Sequence, residues 1–199
     1  MQSARLILVR HGQTEWSRTG RHTSTTEVSL TPLGEDQARA LAPVLAGFAV
    51  DTVLCSPRLR ARNTAELAGF ADPVLDADLA EWDYGAYEGV TTARIREDVP
   101  GWTIWTHPAP GGEDAEQVAA RLDRVVARVR ESGGVTLVFT HGHAGRALAA
   151  RWLGLPVAEG RHLLLDTATW SELGDDRGLP AVVRWNVPAT QAETVGPRR

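Results

Sequence analysis

Three short apolar runs, residues 5–9, 51–55 and 136–140, each meet a polar tip and then a helical pattern. That alternation limits the fold more than any single motif. Strands without alternating polar positions are buried on both faces, and the helices between them supply the cover. Helix starts are marked. Thr31-Pro32 joins an N-cap to a proline at the first helical position, and Ser56-Pro57 repeats the signal ahead of a helix to about Leu67. Leu33, Gln37, Leu41 and Val44 keep helical spacing up to Gly47. Asp114 and Gln117 have the form of a capping box ahead of Ala119, Leu122, Val125, Val126 and Val129. Further helices are expected over 92–98 and 143–153, and strands over 161–174 and 180–187. Residues 12–30 read as a long functional loop, and 70–90 as mixed structure. The pattern predicts one α/β domain over 1–199. It is a three-layer sandwich, with a mostly parallel central sheet and helices on both faces. Residues 91–112 are expected as a lid and 188–199 as a flexible tail.

Composition removes several classes of function. A net charge of -4 argues against a nucleic-acid partner. No apolar run is long enough for a membrane span, and residues 1–20 lack the pattern of a secretory signal, so a cytoplasmic protein without a membrane partner is expected. Cys55 is the sole cysteine; it lies on an apolar run and reads as a small buried hydrophobe. All 21 basic residues are arginine. Without lysine there is no Schiff-base chemistry and no phosphate loop ending in lysine. An anion site here must use arginine, histidine or backbone N–H groups.

In open α/β sheets the ligand lies outside the carboxyl ends of the strands. Those ends carry Arg10-His11, Ser56-Pro57-Arg58-Leu59-Arg60 and His141-Gly142-His143. Such a set suits a phosphoryl group. Arginine meets phosphate oxygens with a planar fork of donors. A neutral imidazole can attack phosphorus while its other nitrogen is held as N–H by a backbone carbonyl. A second, protonated histidine can donate to a phosphate oxygen. A carboxylic acid must protonate the leaving alkoxide and then take a proton from the attacking water. No spacing of His, Asp and Glu calls for a metal, and no cofactor is expected.

Arg10-His11-Gly12-Gln13-Thr14 is followed in order by SLTPLGEDQA, CSPRLRARNTAE, LAEWDYGAYEG, GGE and FTHGH. Over about residues 4–150 this series resembles the histidine phosphatase superfamily, in its phosphoglycerate-mutase-like branch, and looks most like the bacterial acid phosphatases there. The resemblance implies a nucleophile at His11, a phosphate pocket of Arg10, Arg60 and His141, and a proton donor and acceptor at Glu81. It also implies phosphate or substrate contacts at Gln13, Ser17, Thr23 and Gly142, with Ser17 standing where the family commonly has asparagine. Gly12 is expected to keep the backbone close beside the nucleophile.

The function so implied is metal-independent hydrolysis of small phosphorylated metabolites through a phosphohistidine, in the manner of an acid phosphatase. Because an ordinary glutamate is protonated only in acid, an acidic optimum is expected. The alternatives are a cofactor-dependent phosphoglycerate mutase, a sugar-bisphosphate phosphatase and an inactive phosphate or phosphoprotein binder. Mutases of the branch typically read ERHYG where this chain has Glu81-Trp82-Asp83-Tyr84-Gly85, which favours the phosphatase. Homodimers are common in the family, and the sequence carries no decisive interface patch. Arg58 and Arg62 are expected as solvated charges, Glu88 as a structural hydrogen-bonding partner and His143 as a support behind the site or a helix-start residue. His22, His107 and His162 are expected in surface or loop roles. Glu113 fits either the site or a helix start. Trp16, Trp82, Trp102 and Trp105 are expected to pack, the last two within the lid segment.

Overall fold

The computed structural model describes residues 4–189, so most of the expected tail, 188–199, lies outside the described residues. Six strands form one sheet: β1 (Arg5–Arg10), β2 (Thr52–Cys55), β3 (Val74–Leu75), β4 (Val135–Thr140), β5 (Thr169–Asp176) and β6 (Leu179–Pro188). Their order is β3-β2-β4-β1-β5-β6. The pairs β3–β2, β2–β4 and β4–β1 are parallel, and β5 and β6 add an antiparallel edge. The expected mostly parallel sheet is therefore present.

Side-chain alternation along β1 assigns its two faces. Leu6 and Leu8 join one buried cluster with α5 (Ala115–Ser132) and α6 (Gly142–Trp152), through Val118, Leu122, Val125, Ala147 and Leu148. Ile7 and Val9 join the other, with α2 (Pro32–Leu45) and α3 (Leu59–Leu67), through Leu41, Val44, Leu45, Ala61 and Ala65. The sheet is thus covered twice, which gives the three layers. Among the described residues no helix is long and apolar enough to cross a membrane.

Local expectations fail in four places, each for a physical reason. The 12–30 loop contains a short helix, α1 (Glu15–Thr19), closed by a reciprocal cap in which Thr14 and Ser17 each accept the other's backbone N–H. Ser56-Pro57 opens no helix; α3 starts two residues later behind Arg58, because the Ser56 hydroxyl is engaged with His141. Leu33 is 54% exposed, and the buried stripe of α2 runs through Gly34, Ala38, Leu41 and Leu45 instead. The strand expected over 161–174 begins only at Thr169. Before it, a 3-10 turn (Val157–His162) leads into residues 163–168, which cross the end of β1. There the Ala168 N–H points at the carbonyls of Arg10 and His11, both at 3.1 Å.

Residues 91–112, the expected lid segment, are partly packed into the core. They contain α4 (Thr92–Asp98), and Ile95, Trp102, Ile104 and Ala109 are buried in the same cluster as α5 and α6.

The loop after β1 is held by a glycine pair. A Cβ on Gly12 would lie 2.4 Å from the Gly34 carbonyl oxygen, and one on Gly34 would lie 2.1 Å from that of Gln13. The first turn of α2 therefore sits directly on the backbone beside His11. Gly34→Ala should force these segments apart and lower stability by about 1–3 kcal/mol. Chemical denaturation checks this, and an unchanged midpoint would rule out the close contact.

Candidate active site

The parallel register aligns three strand ends. Arg10 pairs with Thr140 and Cys55 with Phe139, and the ladder runs one step further. His11 N–H donates to the Thr140 carbonyl at 3.0 Å, and Ser56 N–H to the Phe139 carbonyl at 2.9 Å. His11, His141 and Ser56 thus follow the ends of neighbouring strands. The two imidazole centroids are 5.2 Å apart, and His141 Nε2 is 2.7 Å from Ser56 Oγ.

The tautomer of His11 follows from its partner. Nδ1 lies 2.7 Å from the Gly12 carbonyl oxygen, which can only accept, so Nδ1 carries the proton and Nε2 keeps its lone pair. Behind this ring the Arg60 guanidinium is fully buried. It donates to the carbonyls of Thr23 at 2.9 Å and of Ser24 and Thr26 at 3.3 Å. Glu88 fixes the same loop, its carboxylate accepting from the backbone N–H groups of Ser24 and Thr26 and from the Ser24 hydroxyl. Thr64 completes the frame, accepting from Gly12 N–H and donating to the Arg60 carbonyl.

Among the described residues, five buried side-chain nitrogens lack a protein partner. Three of them, Arg10 Nε, Arg60 Nε and His141 Nδ1, belong to residues around His11; Arg58 Nε and Trp170 Nε1 lie apart from that group. A buried donor left unpaired costs about 1–3 kcal/mol, so three together suit an anion that would meet them.

Glu81 approaches from the segment after β3. Thr140 Oγ1 donates to the Leu79 carbonyl, and Arg121 donates to the carbonyls of Asp78 and Ala80. On the far side Glu113 accepts from Asp83 N–H while paired with Arg121. Glu113 therefore braces the Glu81 segment through Asp83 and Arg121, a contact that neither of its two expected roles described. The Glu81 carboxylate accepts from the backbone N–H groups of Trp82, His143 and Ala144, at 2.9, 3.0 and 2.7 Å. It caps the start of α6 and faces the cavity.

That cavity, about 250 Å³, is lined by Arg10, His11, Glu81 and Gly142 together with Ser17, Thr23, His22, Tyr84, His143 and Arg146, while Arg60 and His141 are fully buried and not among its lining residues. Gln13 is elsewhere: its side-chain oxygen accepts from the Thr31 hydroxyl, which ties it to the start of α2. Ser17 lines the wall, but its hydroxyl is spent on the Thr14 cap, and the Thr23 hydroxyl donates to the Arg21 carbonyl. His22 lies in a loop, one of its two expected roles, but not at the surface. It is 8% exposed, held by backbone bonds to Val90 and Gly89, and stacked 4.6 Å from Tyr84. Arg58 is half-buried against Thr25 and Glu27, not freely solvated.

A family model described as "Histidine phosphatase superfamily (branch 1)" matches residues 6–188. The chain belongs to this superfamily. An acid phosphatase of Mycobacterium tuberculosis is 45% identical over 183 residues, covering 90% of each chain. A sedoheptulose 1,7-bisphosphatase of Saccharomyces cerevisiae is 38% identical over 187 residues, covering 77% of this chain and 69% of the yeast protein. Among solved structures, that of the Mycobacterium tuberculosis open reading frame Rv3214 superposes with a TM-score of 0.90 at 43% identity, over 94% of this chain and 98% of that one.

In this member of the superfamily, burial decides the charge state of the imidazoles. His11, His141 and His143 are held well below the ordinary value of 6.5, first by burial and then by neighbouring arginines: Arg60 and Arg10 at His11, Arg60 foremost at His141 and Arg146 at His143. Burial pushes His22 down to about 4. The protonated second histidine expected at His141 is therefore neutral in this form, and a neutral ring still offers one N–H. The four lowered values also set a sign for stability. The unfolded chain takes up these protons near the ordinary value while the native chain refuses them. The stabilisation is complete above it and is lost as pH falls towards the native values. Each group changes stability by up to about 1.4 kcal/mol per pH unit inside that window. The denaturant midpoint should drop from about pH 7 to about pH 5; a flat or rising midpoint would contradict the neutral assignment.

Proposed function

We propose that the chain is a phosphomonoester hydrolase that works through a phosphohistidine at His11. The observation that carries this reading is the hydrogen bond from His11 Nδ1 to the Gly12 carbonyl, which leaves the Nε2 lone pair free on an imidazole whose burial disfavours protonation. In the first step Nε2 attacks phosphorus, the ester P–O bond breaks, and the Glu81 carboxyl gives its proton to the leaving alkoxide. In the second step the Glu81 carboxylate takes a proton from water, the water oxygen bonds to phosphorus, and the P–Nε2 bond breaks to release inorganic phosphate.

Arg10, Arg60 and His141 meet the charge on the phosphoryl oxygens, using donors that have no protein partner. Ser56 is a positioning residue. Its oxygen accepts from Arg58 N–H, so its own proton can go to His141 Nε2, which puts the His141 proton on Nδ1. The similarity to an acid phosphatase and to a sugar bisphosphatase supports a small phosphorylated metabolite as substrate. The similarity to an acid phosphatase supports work at acid pH.

Hydrolysis of p-nitrophenyl phosphate should proceed in EDTA, vanadate should inhibit it, and His11→Ala should abolish it. A strict metal requirement, or full turnover by that variant, would end the mechanism. Glu81 adds a second handle. Glu81→Gln should slow hydrolysis of alkyl phosphates by about 10²–10⁴-fold, and of p-nitrophenyl phosphate much less, since that leaving group needs little protonation. Equal losses on both, in phosphate-release assays, would move the acid role to another group.

A further inference from the structure

The buried guanidinium of Arg60 leans on a loop that has no regular structure of its own. Residues 23–29 form neither helix nor strand. Arg60 is nevertheless held there by main-chain carbonyls: one Nη donates to Thr23 at 2.9 Å and to Ser24 at 3.3 Å, the other to Thr26 at 3.3 Å. Among the described residues, the ion pairs of this chain do not include Arg60. The aim of its unpartnered Nε is therefore set by where these carbonyls lie.

Glu88 fixes where they lie. It follows the 3-10 turn Gly85–Tyr87 and is half-buried. Oε1 accepts from the N–H groups of Ser24 and Thr26, each at 3.0 Å; Oε2 accepts from Ser24 N–H at 2.9 Å and from the Ser24 hydroxyl at 2.6 Å. The Ser24 N–H and the Thr23 carbonyl belong to one planar trans peptide, whose two polar ends point in opposite directions. Glu88 grips one end and Arg60 the other. The Thr25–Thr26 peptide repeats the arrangement, with its N–H on Glu88 and its carbonyl accepting from Arg58 at 3.3 Å. The neighbouring residue adds a further tie, Gly89 N–H donating to the His22 carbonyl at 2.8 Å. Burial pushes the Glu88 carboxyl up, but the hydrogen bonds from Ser24 and Thr26 outweigh it and hold the group below its ordinary value.

We infer that Glu88 is a positioning residue of the phosphate site: through the Thr23–Ser24 peptide its carboxylate aims the Arg60 guanidinium at the phosphoryl group. The inference rests on the reading in which Arg60 meets that group. Glu88 itself is not on the cavity wall.

Calorimetric binding of inorganic phosphate tests it. Removing a carboxylate near an anion site would, by charge alone, tighten binding. Glu88→Gln should instead weaken phosphate by about tenfold to a hundredfold, with KM for p-nitrophenyl phosphate rising in step, and Glu88→Asp should keep part of the affinity. The effect should need Arg60. In an Arg60→Lys background, where the fork is gone, Glu88→Gln should cost less than about threefold more. Unchanged or tighter binding by Glu88→Gln, or the same fold-loss in both backgrounds, overturns the inference. If Glu88→Gln or Arg60→Lys does not fold, Glu88→Asp and Ser24→Ala decide: each should raise Kd by about threefold to tenfold, and an unchanged Kd in both overturns it. A wild-type protein that binds no phosphate would be a failure of the phosphatase reading, and the inference would fall with it; phosphate binding with independent losses overturns the inference alone.

Discussion

Everything at the site hangs from the parallel pairing of β1 with β4 and of β4 with β2. Arg10 opposite Thr140, and Cys55 opposite Phe139, bring the strand ends level, and two further backbone bonds carry the ladder to His11 and Ser56. A slip of one residue would turn each of these side chains to the opposite face of the sheet. The buried runs hold the register, because Leu6, Ile7, Leu8 and Val9 have no exposed alternative. The distance between the two imidazoles is thus set by packing far from them. The glycine pair Gly12–Gly34 adds the other requirement, close approach of α2 to the backbone whose carbonyl fixes the His11 tautomer.

Low dielectric surroundings then divide the charges. Burial and nearby arginines keep His11 and His141 neutral, while Arg10 and Arg60 have their own proton affinity lowered by burial and supported by Glu81. Three backbone N–H groups hold the Glu81 carboxylate at the start of α6. A buried neutral imidazole among arginine cations is an arrangement that resists protonation and suits an anion. It is costly without an anion, and the unpaired donors of Arg10, Arg60 and His141 measure that cost.

The parts legible in the sequence were those written as neighbours along the chain. Arg10-His11 and His141-Gly142 directly follow apolar runs, so the strand ends could be read from order alone. Short-range capping was legible where it led an amphipathic helix, as at Thr31 and Asp114, and illegible at Thr14, where α1 buries none of its residues. Leu163, Leu164 and Leu165 look like a strand, but their backbone crosses the end of β1 and Leu165 becomes cavity wall. Ser56 looked like a cap because its preference for that role is local, whereas its partner, His141, is 85 positions away.

The far wall of the cavity was the least legible part, and it carries the features that would distinguish one substrate from another. His22 lies in a polar loop with no periodicity; its burial depends on backbone bonds to Val90 and Gly89 and on the Tyr84 ring. Arg146 sits on the polar side of a helix, where an arginine ordinarily means solvent. It faces the cavity because Gly160 has no side chain: a Cβ there would come within 2.9 Å of Trp105, the ring on which Arg146 rests. The group at the strand ends, Arg10, His11, Ser56 and His141, follows from strand order and motif. The far wall follows from how a 3-10 turn, an indole and a guanidinium stack, and it can vary without moving the strand ends.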